Sequence, residues 1–350
     1  MKQLLFIRRR WSQKGGAENY LRRVARALKT KEYQLSLLCE SWGSDDNNFE
    51  HIHHIQKSNN PDLFASYANA YIENLKPKPF IFSLERGITC DIYRAGDGVH
   101  AAWLNRRAKY SSWRAKISNV INPKNRKVKK LENFTLNSTH TRHIMANSKM
   151  VRDDIIKHSV FPKKNISILY NAIDIETFTG GNREKGRNSL GLTEKEYVIL
   201  LVGHGPERKG HKLAKSMVQL SKTLAKLIIV DTSPSCPMPD LYAAADVFLF
   251  PSLYDPFPSV VLEAMASGLP VITTYETGAS EIIHQGHNGF MLDSPTNISQ
   301  GANFIAELTN VKLRKAIGLA AQQTATHYNM PEHIEKLIDH INTTAKCAPS

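Results

Sequence analysis

Tyr254-Asp255-Pro256-Phe257-Pro258-Ser259-Val260-Val261-Leu262-Glu263-Ala264-Met265-Ala266-Ser267-Gly268-Leu269-Pro270 carries the signature of a parallel α/β sheet. The apolar run Val247-Phe248-Leu249-Phe250 comes before it, and Val271-Ile272-Thr273 follows. Strand, loop, helix, strand is the repeating unit of a parallel sheet. Pro258 suits a first helical turn, because proline lacks the N–H that this turn leaves unpaired. Gly268 suits the stop. The loop therefore delivers Asp255 to the carboxyl end of a strand, where ligands of open α/β sheets bind. Glu263 sits on the helix behind it, with seven residues intervening. The N–H groups near 258–260 form an anion-ready helix end. The same spacing also fits an ordinary strand–helix unit carrying a solvated Asp and a solvated Glu.

Outward from this stretch the alternation continues in both directions. The chain has 350 residues, enough for two domains of ordinary size. In the first half, strands are expected at Leu4–Ile7, Gln34–Leu38, Pro79–Leu84, Asp91–Arg94, Ile144–Ser148 and Ile166–Tyr170. Helices are expected from Ala17 to Leu28, Pro61 to Leu75 and Lys149 to His158. Gly15-Gly16 precedes the first of these, where glycine lets a backbone approach a phosphate or sugar closely. The polar, Gly-rich run Thr177–Leu192 reads as a linker. Beyond it come strands at Tyr197–Val202 and Leu227–Val230, with Arg208-Lys209-Gly210 opening a helix between them. A short helix is expected at Asp240–Ala245, and further helices at about 279–284, 296–308, 310–326 and 332–345. Two α/β halves in series predict two doubly wound domains with a cleft between them.

Charge is distributed unevenly. Residues 1–170 hold 31 Lys+Arg against 14 Asp+Glu, a balance of +17, and the remainder holds 15 against 18, a balance of −3. The first half should face something anionic. Residues 103–130 concentrate this charge: Trp103, Tyr110 and Trp113 alternate with Arg106, Arg107, Lys109, Arg114 and Lys116, followed by Lys124, Arg126, Lys127, Lys129 and Lys130. A solvated face, a nucleic-acid surface and an anionic membrane surface all fit such a mixture. The membrane reading is preferred, because each Lys or Arg near an anionic leaflet contributes about 1 kcal/mol and ten are available. No run reaches the roughly 20 apolar residues of a membrane span. The start is too short and too soon interrupted by Arg8-Arg9-Arg10 to read as a signal peptide. Cys39, Cys90, Cys236 and Cys347 show no metal or disulfide spacing, and His51, His53 and His54 read as a polar loop or edge strand. A reducing, cytoplasmic setting and no bound metal are therefore expected.

The order of motifs resembles glycosyltransferase family 4. Asp255 and Glu263 stand in the positions of its acidic pair, E-x7-E. Gly15-Gly16 matches its early glycine loop. Ala146-Asn147-Ser148 and Tyr170-Asn171-Ala172-Ile173-Asp174 match its entry to the second domain. Gly203 through Lys209-Gly210 matches its phosphate loop, and Thr277-Gly278-Ala279-Ser280-Glu281 matches the loop after the acidic pair. Within the family the chain looks most like the glucosyltransferases of the lipopolysaccharide core, through Asp91-Ile92-Tyr93, Arg208-Lys209-Gly210 and the basic aromatic patch.

The resemblance implies a GT-B fold: two Rossmann-like domains facing a cleft. Residues 1–172 would form the acceptor- and membrane-facing domain, 173–330 a shortened nucleotide-sugar domain, and 331–346 a helix returning to the first. It implies a retaining, metal-independent hexosyl transfer from a nucleotide-diphosphate sugar, uridine by subfamily, to a lipid-linked saccharide, with no cofactor and no nucleic acid. The protein would lie peripherally on the inner face of the cytoplasmic membrane. Arg208, Lys209, Phe257, Pro258, Ser259, Val260, Gly15 and Gly16 would meet the donor, and Glu263 its ribose. Asp255 and His100 would meet the transferred sugar, and Asp97 the acceptor hydroxyl. A soluble transferase with a small or protein acceptor, and a non-catalytic basic anion-binding module, remain alternatives. One departure stands out: only Asp231–Pro239 separates Val230 from Asp240, where the family has a further helix and strand.

Overall fold

A computed structural model describes residues 2–10, 15–31, 33–43, 47–58, 60–110, 121–137, 139–231 and 234–346. The chain divides into two compact units, Met1–Leu169 with Pro331–Ser350, and Tyr170–Met330.

The first unit is built on a seven-stranded sheet. Its strands are β1 (Lys2–Ile7), β2 (Tyr33–Cys39), β3 (His51–His54), β4 (Phe80–Ser83), β5 (Cys90–Ala95), β6 (Thr141–Ala146) and β7 (Ile166–Ile168), in the order β3-β2-β1-β4-β5-β6-β7. Neighbouring strands pair in parallel from β3 through β7. Central strands of such sheets are covered on both faces, which is why Leu4-Leu5-Phe6-Ile7 is apolar without alternation and wholly buried. The Gly16–Lys29 helix turns Leu21, Val24, Ala25 and Leu28 inward at helical spacing. The histidine run forms the edge strand β3. The Met330–Lys346 helix belongs to this unit: its buried His333 meets the Tyr20 hydroxyl at 3.1 Å, and Thr344 O accepts from Arg142 at 3.3 Å.

The second unit holds β8 (Val198–Val202), β9 (Lys226–Val230), β10 (Val247–Leu249), β11 (Val271–Thr274) and β12 (Gly289–Leu292), in the order β12-β11-β10-β8-β9. β12 is a strand the periodicity did not announce, because four residues between polar turns carry too little pattern. The helix expected at 279–284 is a single 3-10 turn, Gly278–Ile282.

The expected linker at 177–192 is not a linker. It contains two short helices, Ile175–Thr179 and Arg183–Ser189, packed into the second unit. Its composition misleads for a physical reason. Gly186 lies so close to the Met238–Ala244 helix that an added Cβ would run into the Asp240 carbonyl, so the glycine serves packing and not looseness. Arg187 is 1% exposed, and its guanidinium pairs with Asp246 at 3.0 Å. A polar residue here is a core residue because its charge is paired.

Candidate functional site

β8 is flanked by β9 on one side and β10 on the other, so the chain winds away in opposite directions from the β8/β10 boundary. Loops leaving the carboxyl ends of two such strands diverge and leave a crevice. The loop after β8 carries Arg208 and Lys209, and the loop after β10 carries Asp255. Two hydrogen bonds stitch the loops together: Leu253 N–H donates to Arg208 O at 2.8 Å, and the Ser252 hydroxyl donates to the same oxygen at 2.9 Å. Gly210 permits this approach. It has φ 75°, and a side chain there would strike the Pro251 carbonyl.

Asp255 is 7% exposed, and its backbone is fixed by an N–H bond to Glu276 O at 3.2 Å and by Gly278 N–H donating to its carbonyl at 2.9 Å. Its Oδ2 accepts from Lys209 Nζ, and Arg208 stands 3.6 Å away. Lys209 is buried, with its ammonium 4.7 Å from the Phe250 ring centre. Burial lowers the Lys209 pKa, Asp255 works against that, and Arg208 adds to it. The two cations expected to act alike are therefore different. Lys209 spends its charge on Asp255, whereas the Arg208 side chain is 38% exposed.

The helix after the loop runs Ser259–Ala266, with Pro258 at its N-cap, one position earlier than the first-turn place expected. Ser259 and Val260 occupy the first turn, whose N–H groups have no partner within a helix. Phe257 is buried, and its carbonyl accepts from Asn171 Nδ2 at 2.8 Å. Glu263 is half-buried, and its Oε2 accepts from the Tyr242 hydroxyl at 2.8 Å. Glu281 in the following turn accepts from Tyr170 at 2.8 Å. Asn171, Tyr170 and Tyr242 are site partners that sequence reading missed; the first two lay within a quoted motif, while Tyr242 carried no local signal.

The first unit holds a separate set of predicted residues. Gly15 is the N-cap of the Gly16–Lys29 helix and has no side-chain cap. His100 opens the His100–Lys109 helix beyond β5, and Asp97 lies exposed in the turn before it. The anion position at this helix start is filled by the protein itself. Buried Glu132 accepts from His100 N–H at 2.6 Å and from Ala101 N–H at 3.1 Å, and pairs with Arg86 at 3.3 Å. His100 Nε2 meets Asn125 Oδ1 at 3.2 Å. Burial, with Arg86 adding to it, lowers the His100 pKa, so the ring is held neutral at neutral pH. At the end of β1, Arg8 pairs with Glu18 at 2.9 Å and Glu85 at 3.0 Å. Burial opposes its charge, but Glu85, Asp97 and Glu18 together raise its pKa. This cluster at the β1/β4 switch point was not read from sequence.

The basic patch divides. Arg106 is committed to Asp154 through bonds of 3.1 and 2.9 Å, and Arg107 lies 5.9 Å over the Trp103 ring. Lys109 is exposed, and Tyr110 ends its helix. Trp113, Arg114 and Lys116 lie outside the described residues. Lys124, Arg126, Lys127, Lys129 and Lys130 are all exposed on the Pro123–Leu136 helix. Among the described residues no group of three or more His, Cys, Asp or Glu is placed to hold a metal ion, and no helix is long and apolar enough to cross a membrane.

Residues 188–310 match the family Glycosyl transferases group 1. An uncharacterized glycosyltransferase of Methanocaldococcus jannaschii is 27% identical over 201 residues, 48% of this chain and 52% of that protein. D-inositol 3-phosphate glycosyltransferase 1 of Catenulispora acidiphila is 24% identical over 232 residues, 56% of each. The chain thus spans about half the length of the curated relatives it matches. Among solved structures, WaaG, a glycosyltransferase involved in lipopolysaccharide biosynthesis, aligns with TM-score 0.81 and 20% identity over 97% of this chain and 99% of that one. Anabaena HepE in complex with UDP-glucose aligns with TM-score 0.74 and 17% identity over 98% of this chain and 100% of that one. Two parallel sheets with the topology described and alignments spanning nearly the whole chain give it the GT-B fold, and inside the second unit residues 188–310 match Glycosyl transferases group 1.

Proposed function

We propose that this protein is a retaining hexosyltransferase that takes a sugar from a nucleotide-diphosphate donor, a uridine donor first, and passes it to a lipid-linked saccharide. The observation that carries the proposal is the second unit's switch-point constellation: half-exposed Arg208, the first turn of the Ser259–Ala266 helix, and Glu263 on that same helix. A departing diphosphate needs fixed positive charge, and a guanidinium with helix N–H groups supplies it without a metal ion. Glu263 accepts from the ribose hydroxyls. Asp255, held by Lys209, accepts from a sugar hydroxyl and steadies positive charge developing at the anomeric carbon. In the first unit, neutral His100 contacts the donor sugar, and Asp97 with the Arg8 cluster receives the acceptor. Retention follows from same-face attack, in which the departing phosphate oxygen takes the acceptor proton.

Support for a uridine donor comes from HepE, whose structure holds UDP-glucose, and for a lipopolysaccharide-type acceptor from WaaG. The exposed basic helix Pro123–Leu136 favours attachment to an anionic membrane, at the inner face of the cytoplasmic membrane. Titration calorimetry with UDP-, ADP- and GDP-glucose tests the donor reading. Binding of one, abolished in Arg208→Ala, is expected; no binding of any refutes it. Flotation with phosphatidylglycerol vesicles tests the membrane reading: reversal of Lys124, Lys127 and Lys130 to Glu should release the protein, and unchanged flotation refutes it.

A further inference from the structure

Tyr242 has no place in the reaction as proposed, yet it reaches the site from the core. It lies on the Met238–Ala244 helix, is completely buried, and its ring packs against Phe178 and Phe248 at centroid distances of 5.8 and 5.9 Å. Its hydroxyl points out of this apolar packing onto Glu263 Oε2 at 2.8 Å. A buried phenol oxygen must find a partner, and here the partner is the carboxylate of the acidic pair nearest the helix.

We propose that Tyr242 is a positioning residue: its hydroxyl clamps one oxygen of Glu263 so that the carboxylate is presented, already oriented, to the vicinal hydroxyls of a ribose. The inference rests on the donor reading given above and deepens it. A free glutamate side chain samples many rotamers, and the freedom lost on binding subtracts from affinity. Glu263 loses that freedom before a ligand arrives, because one oxygen is tied to a ring that cannot move in a packed core. The donor is also constant with pH. Burial, with Glu263 adding to it, raises the Tyr242 pKa well above its ordinary value, so the hydroxyl keeps its proton at every working pH. A carboxylate oxygen carries two lone pairs, so Oε2 can accept from Tyr242 and still accept from a ligand hydroxyl.

The test uses the full chain, Tyr242→Phe, and two probes: UDP and 2′,3′-dideoxy-UDP. The substitution removes one oxygen and keeps the packed ring. If Tyr242 acts through Glu263 on the ribose, the variant binds UDP about tenfold more weakly and dideoxy-UDP within about twofold of wild type. The Glu263→Gln and Tyr242→Phe changes should also be non-additive for UDP, since both disturb one contact. A merely structural tyrosine moves both ligands equally, in step with the thermal midpoint, and that result overturns the inference. So does unchanged binding of both. A wild-type protein that binds UDP and dideoxy-UDP equally, or that binds no nucleoside diphosphate, overturns the ribose reading of Glu263 itself. That outcome is visible before any variant is made.

Discussion

Asp255→Asn offers the sharpest test of how the site is held. The change is isosteric, leaves both backbone bonds of residue 255 in place, and removes only a charge. What it exposes is Lys209: buried, with a side chain 9% exposed, Arg208 adjacent and, among the described residues, no other carboxylate paired with its ammonium. Removing one partner of a buried pair costs about 3–5 kcal/mol, because the remaining charge is left uncompensated in a medium that solvates it poorly. For a unit of this size that is a fall of roughly 6–20 °C in the midpoint of thermal unfolding. The pH dependence has a definite sign. Burial already lowers the Lys209 pKa, and Asp255 opposes that lowering. Without Asp255 the folded-state value falls further, so the unfolded state binds more protons over a wider range below its own value near 10.4, and stability rises with pH across that range. The deficit of Asp255→Asn should therefore be largest near about pH 7 and shrink toward about pH 9.5. Adding Lys209→Met should recover most of it, since an apolar replacement of a buried pair is often neutral. Urea unfolding of the three proteins, wild type, Asp255→Asn and the double variant, at both pH values measures all of this. A single variant within about 0.5 kcal/mol of wild type at both pH values would refute the view that Lys209 is held by Asp255.

The other expectations concern single groups. Glu263→Ala strands the buried Tyr242 hydroxyl and should cost about 1–3 kcal/mol, whereas Glu263→Gln keeps an acceptor and should unfold near wild type; equal stabilities in urea would sink this. Arg187→Ala removes the buried partner of Asp246, which keeps Arg183 at 3.0 Å, and the donor to Glu196 O, and should destabilise the second unit by about 1–3 kcal/mol in calorimetry; a loss under about 0.5 kcal/mol contradicts the core role. His143 is lowered to about 4 by burial, with His340 adding to it, at the face where the Met330–Lys346 helix packs. A histidine with a depressed folded value contributes stability above its unfolded value of about 6.5 that is lost as pH falls toward the folded one. With partial exposure discounted, about 2 kcal/mol should disappear between those values. Hydrogen-exchange protection factors in residues 330–346, taken relative to the intrinsic rate at each pH, should fall over that window, and a flat profile would count against it.

The fold class and most elements of both sheets are legible in the order of residues, because buried parallel strands are unbroken apolar runs and helices repeat at 3–4 residues. That order also places Asp255, Glu263, Arg208 and Lys209 at strand and helix ends, since loop position follows from element order alone. Tertiary structure decided what each charge does. Lys209 meets Asp255 across 46 positions, His100 N–H meets Glu132 across 32, and Tyr242 meets Glu263 across 21. No local window contains both members of such a pair. The same reason explains Thr177–Leu192: its glycines and arginines read as solvent-exposed until the Met238–Ala244 helix and Asp246 stand beside them. Spacing along the chain specifies which faces are apolar, but whether a polar side chain is solvated, paired or poised for a ligand depends on what the fold brings within about 3 Å of it.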